Sequence, residues 1–147
     1  MVIHTHNDAE TKNAAMQIAK KLRPGDVIAF TGGMGMGKTT FIAGLVRGLG
    51  IDAYVSSPTF ALVHEYRGNG VSLCHFDMFR VEDMDDLYST GFFDYLDGER
   101  ILAVEWSEKI PEALPLGHIS IDISPGEGEE DRIIIVTGDE RFETACS

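Results

Sequence analysis

Cysteine is almost absent from this chain: Cys74 and Cys146 are the only two among 147 residues, and they form no Cys-x-x-Cys pair. A disulfide framework or a zinc site is therefore not expected. Long apolar runs are missing as well, since none approaches the ~20 residues of a membrane span, and the first residues lack the basic-then-apolar order of a secretory signal. The expected compartment is the cytoplasm, with no membrane partner. Positive charge is scarce: 12 Lys and Arg stand against 24 Asp and Glu, a formal net charge of −12. Such a surface repels phosphate backbones, the basic residues are scattered, and residues 82–86 are strongly acidic, so nothing resembles the basic stripe of a protein that grips nucleic acid unaided. If RNA takes part in the function, another protein holds it. Repeats and long low-complexity segments are absent, and so is the Asn-Lys-x-Asp segment that reads guanine.

Glycine, by contrast, is concentrated where it carries chemistry. Residues 32 to 39 read Gly-Gly-Met-Gly-Met-Gly-Lys-Thr, a complete G-x-x-x-x-G-K-[ST] phosphate-binding loop. Upstream, Val27-Ile28-Ala29-Phe30 is a buried-strand signal; downstream, Phe41, Ile42, Leu45, Val46 and Leu49 recur at helical spacing, so the loop has its required strand-to-helix context. Gly32, Gly33, Gly35 and Gly37 permit backbone angles closed to other residues, letting successive N–H groups turn inward around a phosphate. The helix that follows adds the positive end of its dipole. Lys38 carries a full charge toward the outer phosphates, and the Thr39 hydroxyl is a hard oxygen ligand for the Mg²⁺ that accompanies a nucleotide triphosphate. The expected cofactor-binding segment is thus Gly33, Met34, Gly35, Met36, Gly37, Lys38, Thr39 and Thr40.

The length suits one domain able to bury about two-thirds of its unfolded surface. Along it, Asp8 to Leu22 reads as an amphipathic helix with Asn7 or Asp8 as cap, ended by Pro24-Gly25. Gly48 and Gly50 stop the helix after the loop. Phe60 to Tyr66 and Val71 to Asp77 read as a hairpin around Arg67-Gly68-Asn69-Gly70. Asp83 to Leu96 reads as helix in broken pieces, interrupted near Gly91; Ile101 to Val104, His118 to Ile123 and Arg132 to Val136 read as three strands. The order predicts an α/β fold: a P-loop NTPase-like three-layer domain with a mixed, mainly parallel central sheet. In such sheets ligands bind at the carboxyl ends of the strands, where the loop lies.

Hydrolysis needs more than a phosphate loop: a metal must be held and a water oriented. Glu105 directly follows the buried run Ile101 to Val104, and Asp77 ends the strand before it. Either can hold Mg²⁺, directly or through water, and either can orient the attacking water. The plainer alternative is that strands often end in acids because the chain is returning to solvent. Ser57-Pro58-Thr59 is a switch segment or an ordinary turn; Trp106 is a core aromatic or a nucleotide neighbour. His4 and His6 share a face if the N-terminus is a strand, but lack a third ligand nearby. His75 packs beside the site, while His64 and His118 carry no signal.

Taken in order, the loop through Thr40 and Phe41, Ser57-Pro58-Thr59-Phe60, His75-Phe76-Asp77-Met78-Phe79-Arg80 and Val104-Glu105-Trp106 resemble the bacterial TsaE (YjeE) family, the ATPase of tRNA threonylcarbamoyladenosine synthesis. The resemblance covers nearly the whole chain, from the helix containing Thr11 to the strand beginning at Arg132. It implies a cytoplasmic, Mg²⁺-dependent ATPase working with the TsaB–TsaD heterodimer, meeting tRNA only through that complex, and driving or resetting its turnover. By position it implies that Lys38 binds phosphate, Thr39 and Glu105 hold Mg²⁺, and Asp77 arranges the metal or the water. It further implies that Thr40 continues the phosphate site, Thr59 acts as a switch and Trp106 lies near the nucleotide. Thr11 and Arg132 are positional candidates for nucleoside contacts. The chain departs from the family where it has Gly33 for an acid, Met36 for a small residue, Phe79 for a tyrosine and Ser107 for a frequent proline; none of these removes a phosphate or metal ligand. The alternative activity is a small-molecule P-loop kinase, which would need a lid supplying arginines. No arginine cluster is present, and Arg80 alone lies near a proposed site acid. A nucleotide-binding module that never hydrolyses is the third class.

Overall fold

The computed structural model describes residues 1–32, 37–55, 63–78 and 80–142. It opens on a strand that the sequence raised only as a condition: β1 (Val2–Thr5) pairs antiparallel with β7 (Arg132–Thr137), Val2 opposite Ile135 and Thr5 opposite Arg132. Four residues, partnered only by the far end of the chain, give no local periodicity to read. Helix α1 (Asp8–Ala19) then starts where the polar residues predict, with the Asn7 side chain accepting from the Glu10 N–H at 2.8 Å. It ends three residues short of the expected Leu22. Near Pro24 the α conformation is disfavoured, and the chain tightens into i→i+3 bonds, Lys21 N–H to Ile18 O and Leu22 N–H to Ala19 O.

The apolar run after Gly25 becomes β2 (Val27–Thr31), and the loop leads into α2 (Lys38–Gly48). A hairpin follows: β3 (Val63–Gly68) and β4 (Val71–Asp77), closed by Asn69 at φ 52° and Gly70 at φ 75°. Both central residues take the left-handed region, as a primed two-residue turn requires, so the turn is shorter than the four residues expected. The start expected for β3 at Phe60 lies outside the described residues. The broken helical stretch is α3 (Met84–Ser89) and a 3₁₀ turn at Phe92–Tyr95, parted at Gly91 with φ 77°. Strand β5 (Ile101–Glu105), two short 3₁₀ turns, β6 (Ile119–Pro125), β7 and a 3₁₀ turn at Glu140–Phe142 complete the described chain.

Among the described residues seven strands form one sheet in the order β1-β7-β6-β2-β5-β4-β3. β6, β2, β5 and β4 are mutually parallel; β7 and β3 run against them, and β1, antiparallel to β7, shares the majority direction. The sheet is therefore mixed and mainly parallel, as expected. Alternation along the strands divides the core into two layers. Ile28, Phe30, Leu73, Ile101 and Ala103 pack with Ala15, Ile18, Phe41, Ile42 and Leu45 of α1 and α2. Val27, Cys74, Phe76, Leu102 and Val104 pack on the other side with Leu87 of α3, Phe92 and Ile110. Phe76 meets Phe92 and Tyr95 edge-on at 5.3 and 5.1 Å between centroids, geometry worth about 0.5–1.5 kcal/mol per pair beyond area burial.

Helices α1 and α2 approach closely at two points where α2 carries glycine. A Cβ on Gly44 would lie 2.5 Å from the Lys12 carbonyl oxygen and 2.6 Å from the Ala15 Cβ; one on Gly48 would lie 2.7 Å from the Ala19 Cβ. Glycine here permits close approach, and that contact fixes where α2 begins. At the far end of the chain Arg141 grips Asp26 through both carboxylate oxygens, at 2.8 and 3.0 Å, and also bonds Asp139. This anchors the segment after β7 to the start of β2.

Candidate phosphate-binding site

Three parallel strand ends converge on one edge. β2 ends at Thr31, where the phosphate loop begins, and Gly32 continues at φ 115°. Any Cβ there would meet the Ile123 carbonyl oxygen at 2.3 Å, so only glycine lets the chain pass beside β6. Gly37, at φ 88°, is the N-cap of α2 and offers no side-chain cap. The first internal bond of the helix runs from Phe41 N–H to the Gly37 carbonyl, leaving the N–H groups of Lys38, Thr39 and Thr40 without intrahelical acceptors. An anion would find both those donors and the helix dipole. Residues 33–36 lie outside the described residues, as do Ser57-Pro58-Thr59 and Phe79.

Lys38 is nearly buried, at 6% exposure, with its Nζ 5.2 Å from the centroid of the Trp106 ring. Its charge rests on the indole face, a contact worth about 0.5–2 kcal/mol depending on how dry it is. Trp106 adopts φ 58°, ψ 37°, a left-handed conformation unusual for a bulky side chain and costing about 1–3 kcal/mol. The turn that carries this strain is tied down next door, where the Ser107 hydroxyl donates to the Phe30 carbonyl at 3.0 Å. Ser107, at the family's frequent proline position, thereby joins the end of β5 to β2.

The carboxylates come from the neighbouring strands. β4 and β5 pair parallel with Asp77 opposite Glu105, and Met78 N–H donates to the Glu105 carbonyl at 3.1 Å. Two acids from one register position thus stand side by side at the carboxyl end of the sheet. By strand alternation they share the face of His75, Leu73 and Ala103, the face covered by α2. Glu105 is buried at 8% exposure, and His75 is wholly buried with its Nε2 2.8 Å from Glu105 Oε2. The sequence pattern marks His75 only as a packing residue beside the site. The signal was there: stepping back two residues from Asp77 along a strand puts His75 on the same face.

Arg132, named by position, does come to the loop: a Cβ on Gly37 would lie 4.0 Å from its Nε. It also lines a small cleft of about 260 Å³ with His4, Thr5, His6 and Asp131. His6 pairs with Asp131 at 3.0 Å, and that carboxylate raises the His6 pKa. Thr11 behaves differently. It is buried with its hydroxyl 2.7 Å from that of Thr5, joining α1 to β1. Cys74 sits in the opposite core layer, its thiol pushed up to about 12 by burial, and takes no part in the site; Cys146 lies outside the described residues. No helix among the described residues is long and apolar enough to cross a membrane.

Glycine-shaped loop ends, an uncapped helix start and two acids on adjacent parallel strand ends define an α/β protein of the phosphate-loop class. Within that class the chain belongs to the TsaE family: the model of the family described as "Threonylcarbamoyl adenosine biosynthesis protein TsaE" matches residues 5–134. The tRNA threonylcarbamoyladenosine biosynthesis protein TsaE of Bacillus subtilis is 37% identical over 142 residues, covering 97% of this chain and 89% of the relative. The protein of that name from a Nostoc species is 36% identical over 121 residues, or 80% and 74% of the two chains. Among solved structures, Bacillus subtilis YdiB superposes with a TM-score of 0.79 at 33% identity, covering 97% of this chain and 88% of the other. The family serves the biosynthesis of threonylcarbamoyladenosine in tRNA.

Proposed function

We propose that this protein is an ATPase whose binding and hydrolysis of ATP drive turnover of the TsaB–TsaD threonylcarbamoyl transfer complex. The observation that carries the reading is the juxtaposition of Asp77 and Glu105 at paired positions of β4 and β5, with Lys38 resting on the side chain next to Glu105. Lys38 and the free N–H groups of the first turn of α2 bind the phosphates. The Thr39 hydroxyl and the Glu105 carboxylate are hard oxygen donors that suit Mg²⁺, and Asp77 adds a second acid to the same edge. When bound, Mg²⁺ neutralises charge building on the phosphate oxygens. Asp77 would help hold the metal or orient the water that attacks the terminal phosphate. Arg132, whose Nε lies 4.0 Å from where a Gly37 Cβ would stand, is a candidate contact for the nucleotide.

The partner follows from family and charge together. With a net charge of −12, this chain is poorly suited to holding tRNA itself, so its output goes to a protein complex that does. It acts as one domain in the cytoplasm. The test is phosphate release from ATP by the purified protein, alone and then with the TsaB–TsaD pair. Release strongly stimulated by the pair is expected. Transfer of the terminal phosphate to a metabolite would replace this reading with a kinase, and nucleotide binding without release under any partner would replace it with a binding module.

A further inference from the structure

Among the buried polar groups of the described chain, His75 has the least ordinary surroundings. Its exposure is zero; its strand neighbours on the same face are Leu73 and Asp77, and the residues opposite it are Ala103 on β5 and His64 on β3. A fully buried imidazole must satisfy two nitrogens or destabilise the core. Nε2 reaches Glu105 Oε2 at 2.8 Å, but among the described residues nothing hydrogen-bonds Nδ1. Packing alone would favour an apolar side chain at this position. The half-satisfied ring is explained if what it does for Glu105 matters more than what it costs the core.

We propose that His75 is a positioning residue: the Nε2–H of its imidazole holds the Glu105 carboxylate in the orientation that receives the cation accompanying the nucleotide. The tautomer follows from the contacts. A proton on Nδ1 would be a buried donor with no acceptor, and would turn the Nε2 lone pair on a carboxylate oxygen 2.8 Å away. A proton on Nε2 makes the observed contact a donor–acceptor pair and leaves only an acceptor without a partner. The bond takes Oε2 and fixes the plane of the carboxyl group. Among the described residues Oε1 accepts no hydrogen bond, so it is the oxygen left for the metal. A carboxylate free to rotate would have to be ordered on binding, which is why supporting hydrogen bonds to metal ligands are commonly worth 10–100-fold in metal affinity.

The inference rests on the reading of Glu105 as a cation ligand, and the experiment separates the two. His75→Gln keeps a donor near the Nε2 position; His75→Met keeps bulk and removes the donor; Glu105→Gln serves as reference. The measurement is Mn²⁺ bound in the presence of ADP, counted by electron paramagnetic resonance of the free ion, so that no turnover is needed. His75→Met should weaken Mn²⁺ binding by about 10–100-fold, with His75→Gln close to wild type and metal-free ADP affinity unchanged in both. Should Glu105→Gln weaken Mn²⁺ binding while His75→Met does not, the positioning role is overturned and the metal role of Glu105 stands. If Glu105→Gln itself has no effect, both are overturned. Nitrogen chemical shifts of His75 in the wild-type protein supply a measurement independent of the variants' folding: Nε2 should carry the proton, and finding it on Nδ1 would sink the proposal.

Discussion

Replacing Gly44 by alanine should destabilise the protein, although helix propensity alone predicts the opposite. Gly44 lies inside α2, where exchange of glycine for alanine normally gains about 1 kcal/mol. Here the added Cβ would sit 2.5 Å from the Lys12 carbonyl oxygen and 2.6 Å from the Ala15 Cβ, where ordinary contact begins at 3.4 Å. Both obstacles are main-chain or main-chain-bound atoms of α1 and cannot rotate aside, so the two helices must separate by most of an ångström. Overpacking of this kind costs about 1–3 kcal/mol, and rigid obstacles place it at the upper end. Net of propensity, the loss is about 2 kcal/mol. For a chain of this size that lowers Tm by roughly 6–8 °C. The assay is thermal and urea unfolding of Gly44→Ala beside Gly70→Ala, whose φ of 75° lies in the open with nothing within 4 Å, and which should lose only about 1 kcal/mol to backbone strain. A Gly44→Ala protein as stable as the parent would refute the close-contact account of how α1 sets the position of α2.

Three further outcomes are expected. Lys38→Ala should abolish nucleotide binding by calorimetry while leaving the fold intact, because its amine faces an indole at the site and not the core. Glu105→Ala should still bind ATP, but phosphate release with partners present should fall by about 10–100-fold; unchanged release would remove that residue from the mechanism. Arg141→Gln should lower the urea midpoint at neutral pH in an acid-sensitive way. Its guanidinium holds the Asp139 carboxyl down at about 2, below the ordinary 3.8, so the stabilisation is complete above the ordinary value and is lost as pH falls toward 2. The gap between variant and parent should therefore narrow across that window, and a gap that widens on acidification would contradict the assignment.

The strand and the helix on either side of the phosphate-loop motif were readable from local pattern because a change of hydrophobic period is a local signal. So was the cap of α1, since Asn7 bonds a residue three positions on. What escaped reading was long-range. β1 exists only through its pairing with β7, and the His75–Glu105 contact joins residues thirty apart that strand order alone makes neighbours. Asp77 and Glu105 were each visible as acids at strand ends, but their shared register depends on β4 and β5 being adjacent and parallel. Ser107 was visible only as a departure from the family pattern, and its bond to Phe30 shows what the hydroxyl does there.

The contact between Lys38 and Trp106 has an optical consequence. Trp106 is the chain's single tryptophan, so all indole emission from the protein arises 5.2 Å from the amine at the phosphate loop. An ammonium over the ring face biases the excited-state dipole and shifts the emission. Drawing that amine away from the indole would shift it back. The molecule thus carries an unlabelled fluorescent probe at its own phosphate loop, and titrations, stopped-flow traces and partner binding can be followed there without altering a residue.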